Sequence, residues 1–344
     1  MNNWIGCLLL CLLFVGYSSD NDVDGKETYT GIPLVILDVD IPSSTDDLFA
    51  LQMLYRYADE GKCKLLGVVV DRVGQAGAEV VDIMNTYYGY SDLPIGLVRQ
   101  GIEAPSVWID YSPLATHRTS DGQLMFRRTH SDYSALPEGW KLYRRLLAAQ
   151  PDYSVSICSV GFVTALAQLL ESGADEYSPL NGVELVQRKV KAMYVMGGVF
   201  GQAVEPDYNF GQGIDFAQTF FQLWPKNVDV IFSPGEVGDG IEYPEAQVLE
   251  DFAWDAYHPI RQVYENYNCN TGQKMWDPLA VIHAVEGDGL FALSEWGYVE
   301  ITPQAETIFT SSTTGNCRYQ LPGSAEWNQQ MLQKIRKTSS KFNK

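Results

Sequence analysis

Short aliphatic runs alternate with amphipathic stretches along most of the chain, and this rhythm constrains the fold more than any other feature. PLVILDVD (33–40), CKLLGVVVD (63–71), LPIGLV (93–98), SVSICSVG (154–161), KAMYVMGGVF (191–200) and VDVIFSP (228–234) read as strands apolar enough to be covered on both faces. Between them, DDLFALQMLYRYADEG, AGAEVVDIMNTYYGY, TALAQLLESG, DFAQTFFQLW and PLAVIHAVEG carry helical periodicity. Strand and helix in turn imply βαβ units, hence an α/β fold with an open, mainly parallel sheet and helices on both faces. With no internal repeat and no low-complexity linker, residues 31–344 are expected to form a single domain, its Lys-rich, Trp-containing tail packing as a final helix.

The ends and the charge narrow the setting. Residues 1–19, MNNWIGCLLLCLLFVGYSS, read as a signal peptide for export, periplasmic or extracellular, although the usual basic start is missing. The apolar run is too short for a membrane span, and Cys7 and Cys11 leave a lipid anchor open without a convincing lipobox. Residues 20–30 are polar and expected to be a flexible leader. The formal net charge of −19 argues against nucleic acid or an anionic membrane as partner. Cys63, Cys158, Cys269 and Cys317 fit no metal-binding spacing; disulfides are permitted in an exported protein, and buried thiols are the alternative.

VILDVDIPSSTDDLFALQMLY (35–55) places Asp38, Asp40, Asp46 and Asp47 between the first strand and the first helix. Ligands of open parallel sheets sit at the carboxyl ends of strands, where these aspartates fall. Asp38 and Asp40 close the strand and are expected to point to opposite sides. One aspartate at the helix start could be a cap, but capping does not account for four. Crowded carboxylates raise one another's pKa unless a cation sits among them, and a hard divalent ion such as Ca²⁺ takes oxygen ligands of this kind. A rival reading is a Mg²⁺-dependent phosphohydrolase with Asp38 as nucleophile, but Pro42 stands where that motif carries Thr.

The same stretch resembles the inosine-uridine preferring nucleoside hydrolase family, whose hallmark is Asp-x-Asp followed shortly by Asp-Asp. VGFVTALAQLL (160–170) is similar to the family's Gly-x-x-Thr-Asn segment and YVMGGVF (194–200) to its Met-Gly-Gly strand end. PDYNF (206–210) resembles its Glu-x-Asn segment, and WDPLAVIHAV (276–285) its Asp-Pro-x-Ala helix start. The resemblance implies a Rossmann-related fold and Ca²⁺-dependent hydrolysis of ribonucleosides to free base and ribose. It implies Asp40, Asp47, Asp277 and the main-chain carbonyl of Val160 as Ca²⁺ ligands, with Asp40 also the general base toward the attacking water. Asp46 would hold ribose hydroxyls, Met196 would lie against the substrate, and Asp207 and Asn209 would grip the sugar from the other side. A homo-oligomer is implied as well, members commonly being dimers or tetramers.

Several positions depart from the family pattern. Pro42 replaces a Gly and Ser44 an Asp of the longer motif variant, Ala165 replaces Asn, and Asp207 is one methylene shorter than Glu. Trp276 stands where many members carry a His that protonates the leaving base, and indole cannot act as that acid. Stacking of the base on Trp276 is one reading; a core aromatic at a helix start is the other. The departures keep open a relative that binds a sugar-like ligand without turnover. None of His117, His130, His258 and His283 has a pattern that assigns it a role, and Asp215 reads as a helix N-cap. The segment Gly101–Trp140 is expected to supply the loops that select the base.

Overall fold

The computed structural model describes residues 29–341 except 202, 203, 268 and 270, so the signal-peptide segment lies outside the described residues. In chain order the elements begin with β1 (Leu34–Val39), α1 (Asp46–Asp59), β2 (Lys64–Val70), α2 (Ala76–Tyr88) and β3 (Ile95–Leu97). After a long irregular passage come α3 (Gly139–Ala148), β4 (Val155–Ser159), α4 (Thr164–Glu171), α5 (Gly182–Lys189) and β5 (Val190–Met196). Next are α6 (Tyr208–Gln212), α7 (Ile214–Leu223), β6 (Asp229–Ser233), α8 (Gly235–Gly238), β7 (Glu242–Tyr243), α9 (Glu245–Asp251) and α10 (Pro259–Asn266). The chain closes with β8 (Gln273–Lys274), α11 (Asp277–Glu286), β9 (Gly297–Ile301), β10 (Thr307–Ser311), β11 (Cys317–Tyr319) and α12 (Ala325–Ser339).

The main sheet runs β10-β9-β11-β6-β5-β4-β1-β2-β3, parallel from β3 through β11, with β9 and β10 antiparallel at one edge. Along β1 the side chains divide between two cores. Val35, Leu37 and Val39 face the helices α1, α2 and α11, while Leu34 and Ile36 face α3, α4 and α5. This two-sided burial is why the strand reads as an unbroken aliphatic run. The order in which strands are added reverses between β1 and β4, and a ligand crevice belongs at such a switch point.

α1 is buried from Asp46 to Tyr57, clamped between the sheet, α11 and α12. The tail helix α12 is fixed by Arg56, whose guanidinium donates to the carbonyls of Thr338 and Ser340 at 3.0 and 2.8 Å, and by the Arg336–Asp251 ion pair. The three strands after residue 296 are additions that the aliphatic rhythm does not announce. All four cysteines among the described residues are buried free thiols. Asp215 lies within the first turn of α7 after the N-cap Gly213, so it is not the cap.

Candidate active site

Packing of α1 against α11 brings two helix N-termini side by side, each opening with aspartate: Asp46 and Asp47 on one, Asp277 on the other. Neither Asp46 nor Asp47 caps its helix; the N-cap, Thr45, makes no capping bond and instead meets Tyr264 and Gln273. One carboxylate oxygen from each of the three lies within 4.8 Å of the others, and all three residues are buried. The positive ends of the two helix dipoles offset part of this charge. Asp277 donates its backbone N–H to Asp46 Oδ2 at 3.4 Å, while Asp46 Oδ1 accepts from Ser44 and from Gln273. Asp47 Oδ1 accepts the N–H of Asp40 at 3.2 Å, but its Oδ2 is buried without any hydrogen-bond partner.

Burial, then repulsion from neighbouring carboxylates, holds Asp47 and Asp277 well above the ordinary carboxylate range. Burial above all raises Asp46 to about 6, against its hydrogen bond from Ser44. A partnerless buried oxygen within a trio of repelling carboxylates is the arrangement that a hard cation satisfies. The donor set therefore fits a divalent metal, with Asp46, Asp47 and Asp277 as the carboxylates closest to one another.

Asp40 borders the cavity over the cluster, but its carboxylate also has a cationic partner. Its carboxylate turns to Arg72, whose Nη2 lies 3.0 Å from Oδ2, and it is not one of the tightly grouped three. Burial raises Asp40, and the Arg72 guanidinium opposes that rise. Asp38 and Asp40 do face apart, although alternation alone would put both on one face. Asp38 stays in β1 and accepts from Tyr143 Oη of α3 at 2.8 Å; the strand ends at Val39, which frees Asp40 to turn. Gly161, just after β4, permits this corner, because a Cβ there would stand 2.5 Å from the Asp40 nitrogen.

A cavity of about 320 Å³ opens over the cluster. Asp40, Asp46, Val160, Met196, Asp207, Asn209, Trp276 and Asp277 all line it, and Asp47 lies buried behind. Asn209 Nδ2 donates to the carbonyls of Val160 and Met196, both at 3.2 Å. Asp207 borders the cavity and also serves the backbone. Its oxygens accept the N–H groups of Phe210 and Gly198, at 2.8 and 2.7 Å, so it caps α6 and fixes the left-handed turn at Gly198 (φ +84°). Trp276 is half-buried, its indole resting on Gly238, where no Cβ would fit, and donating to Asp239 at 3.0 Å. It is a cavity wall as well as a packed helix start.

Sequence reasoning missed Arg72, Ser43, Trp108 and Tyr208. Trp108 meets both Trp276 and Tyr208 edge-on, with ring centroids 5.6 Å apart in each case. Its loop is stitched to the aspartate loop: Ile109 N–H donates to the Ser43 carbonyl at 2.7 Å, and Tyr111 Oη to the Ser44 carbonyl at 2.7 Å. Arg72 could have been found from its position just past a strand end that neighbours β1. None of the four histidines lines the cavity. His258 is wedged among Tyr88, Phe252 and Trp254, and His283 is buried between Asp288 and Gln320.

The sequence model of the inosine-uridine preferring nucleoside hydrolases matches residues 35–339. The chain belongs to this family. No curated protein matches it significantly. Among solved structures, the inosine-uridine preferring nucleoside hydrolase of Bacillus anthracis is 14% identical, with 89% of this chain and 100% of that one covered at a TM-score of 0.65. A plant nucleoside hydrolase is 14% identical, covering 88% and 98% at a TM-score of 0.64. The type III effector XopQ, solved with adenosine diphosphate ribose, is 14% identical, covering 91% and 95% at a TM-score of 0.63. These likenesses establish the nucleoside hydrolase fold, and the family match sets aside the phosphohydrolase alternative. Among the described residues of this family member, no helix is long and apolar enough to cross a membrane.

Proposed function

We propose that the protein hydrolyses the N-glycosidic bond of ribonucleosides, releasing base and ribose, with Ca²⁺ held by Asp46, Asp47, Asp277 and the Val160 carbonyl. The observation that carries this reading is the convergence, on one cavity, of a buried carboxylate trio with a missing counter-charge and an aromatic wall at Trp276. When bound, a divalent ion supplies positive charge that orients and acidifies the attacking water. In the reaction, water oxygen joins the anomeric carbon, the carbon–nitrogen bond breaks with its electron pair leaving on the base, one water proton is taken up by the enzyme, and the departing base nitrogen takes a proton from solvent. Asp40 borders the cavity, and with Oδ2 held by Arg72 its Oδ1 remains to accept that proton. The carboxylates of Asp46 and Asp277 face the cavity and offset positive charge that develops on the ribose. Asp46 holds sugar hydroxyls in this reading, which turns binding energy into orientation of the anomeric carbon.

No histidine reaches the cavity, so help for the leaving base comes from stacking against Trp276 and the edge-on Trp108. A second reading is a family member that binds a ribose-derived ligand without turnover. It is favoured by the absent histidine and by the Asp40–Arg72 ion pair, and XopQ was solved with one such ligand. Incubating the protein with inosine, uridine and adenosine, with calcium or with chelator, separates the two. Calcium-dependent release of reducing sugar supports hydrolysis, whereas ligand binding without product supports the second reading. Export and a homo-oligomeric state complete the proposal; cell fractionation and light scattering test them.

A further inference from the structure

Arg72 follows β2 by two residues and sends its guanidinium toward the carboxylate cluster. Nε donates to the Asp40 carbonyl, Nη2 lies 3.0 Å from Asp40 Oδ2, and Nη2 also donates to the Ser106 carbonyl at 2.9 Å. The guanidinium carbon lies 5.1 Å from the Phe162 ring centre, and the side chain is only 7% exposed. A guanidinium anchored on two loops and an aromatic ring is fixed in place.

We propose that Arg72 is a built-in counter-cation of the site, lowering its affinity for the divalent ion and letting the protein fold with the ion absent. The inference rests on the metal-dependent reading above. Without Arg72, Asp40 would add a fourth uncompensated carboxylate next to Asp46, Asp47 and Asp277; paired with it, Asp40 adds almost no net charge. A divalent ion entering the trio is therefore drawn in by three negative charges rather than four, and is repelled by a fixed positive charge a short distance beyond Asp40. At the effective dielectric of such sites, one unit charge this near a divalent ion changes its affinity by about tenfold or more. The same pairing explains why Asp40 stands outside the tight trio: its carboxylate has a partner already, whereas Asp47 Oδ2 has none.

The test is calorimetric titration of calcium into chelator-stripped wild type, Arg72→Gln and Arg72→Lys, with thermal melts of each. Arg72→Gln is expected to bind calcium about tenfold tighter or more and to gain more in melting temperature from it, while Arg72→Lys, which keeps the charge, stays near wild type. An Arg72→Gln protein that unfolds without calcium and recovers with it supports the proposal equally. Calcium affinity in Arg72→Gln equal to or weaker than wild type overturns it, as does a variant that calcium cannot refold. Calcium binding to none of the three proteins removes the metal-dependent reading too, whereas equal binding to all removes only the role of Arg72.

Discussion

Replacing Asp47 by asparagine should make the metal-free protein more stable and the metal-loaded protein less so. The side chains are isosteric, and asparagine Oδ1 can keep the hydrogen bond from the Asp40 N–H now made at 3.2 Å. Its new N–H₂ would fill the position of Oδ2, which has no partner today, and would face carboxylate acceptors. Two like charges within 4.8 Å of each other repel by about 3.5 kcal/mol or more at an effective dielectric of about 20. Because the cluster relieves part of this by taking up protons, the expected gain in metal-free stability at neutral pH is about 1–3 kcal/mol, a few degrees in melting temperature. Calcium affinity should fall on the order of a hundredfold with a charged ligand lost. Thermal melts and calorimetric titration with and without calcium measure both. A metal-free Asp47→Asn protein less stable than wild type, or one whose calcium affinity is unchanged, would refute the reasoning.

Acidity should act on the metal-free protein in the same direction as that substitution. The raised carboxyls of Asp46, Asp47 and Asp277 mean that the folded state binds more protons than the unfolded state between the ordinary range and their folded values. Stability of the metal-free protein is therefore expected to rise as pH falls from about 7.5 to about 5.5, and to be lost as pH climbs back; melts across that range check the sign. Calcium affinity should fall over the same range as the ligands protonate, which titration at each pH reads directly. Trp276→Ala should lower catalytic efficiency about tenfold while melting temperature changes little, since its side chain is half-buried; loss of folding with unaltered specific activity would reject the stacking role. Gly161→Ala should destabilise by about 1–3 kcal/mol or more, because its Cβ would meet Asp40 N at 2.5 Å and Val39 C at 2.6 Å, both backbone atoms.

The parallel sheet was legible because its central strands are covered on both faces: β1 sends Leu34 and Ile36 one way and Val35, Leu37 and Val39 the other, so every position must be apolar. The edge strands β9 and β10 were not, since sequences such as GYVEI and TIFTS keep one side exposed and carry no long aliphatic run. In the site, Asp46 and Asp47 announced themselves by density of charge at a helix start, and Asp277 by its likeness to a family segment. Asp40 was placed by motif among the metal ligands; its pairing with Arg72 from a neighbouring strand end was not legible, because a pairing across strands leaves no trace in local spacing. The hydrogen bonds of Asp207 to backbone N–H groups were equally unannounced, since a short acidic residue before a helix turn can serve backbone and substrate alike. Trp108 lies in an irregular segment whose path is set by hydrogen bonds to Ser43 and Ser44, partners 65 and 67 residues away in the chain.

The most direct test is a crystal grown with calcium and examined for anomalous scattering. A single ion bound by Asp46, Asp47, Asp277 and the carbonyl of Val160, with Arg72 still paired to Asp40, is the predicted result. Calcium lodged elsewhere, or carboxylates splayed around solvent alone, would contradict the account.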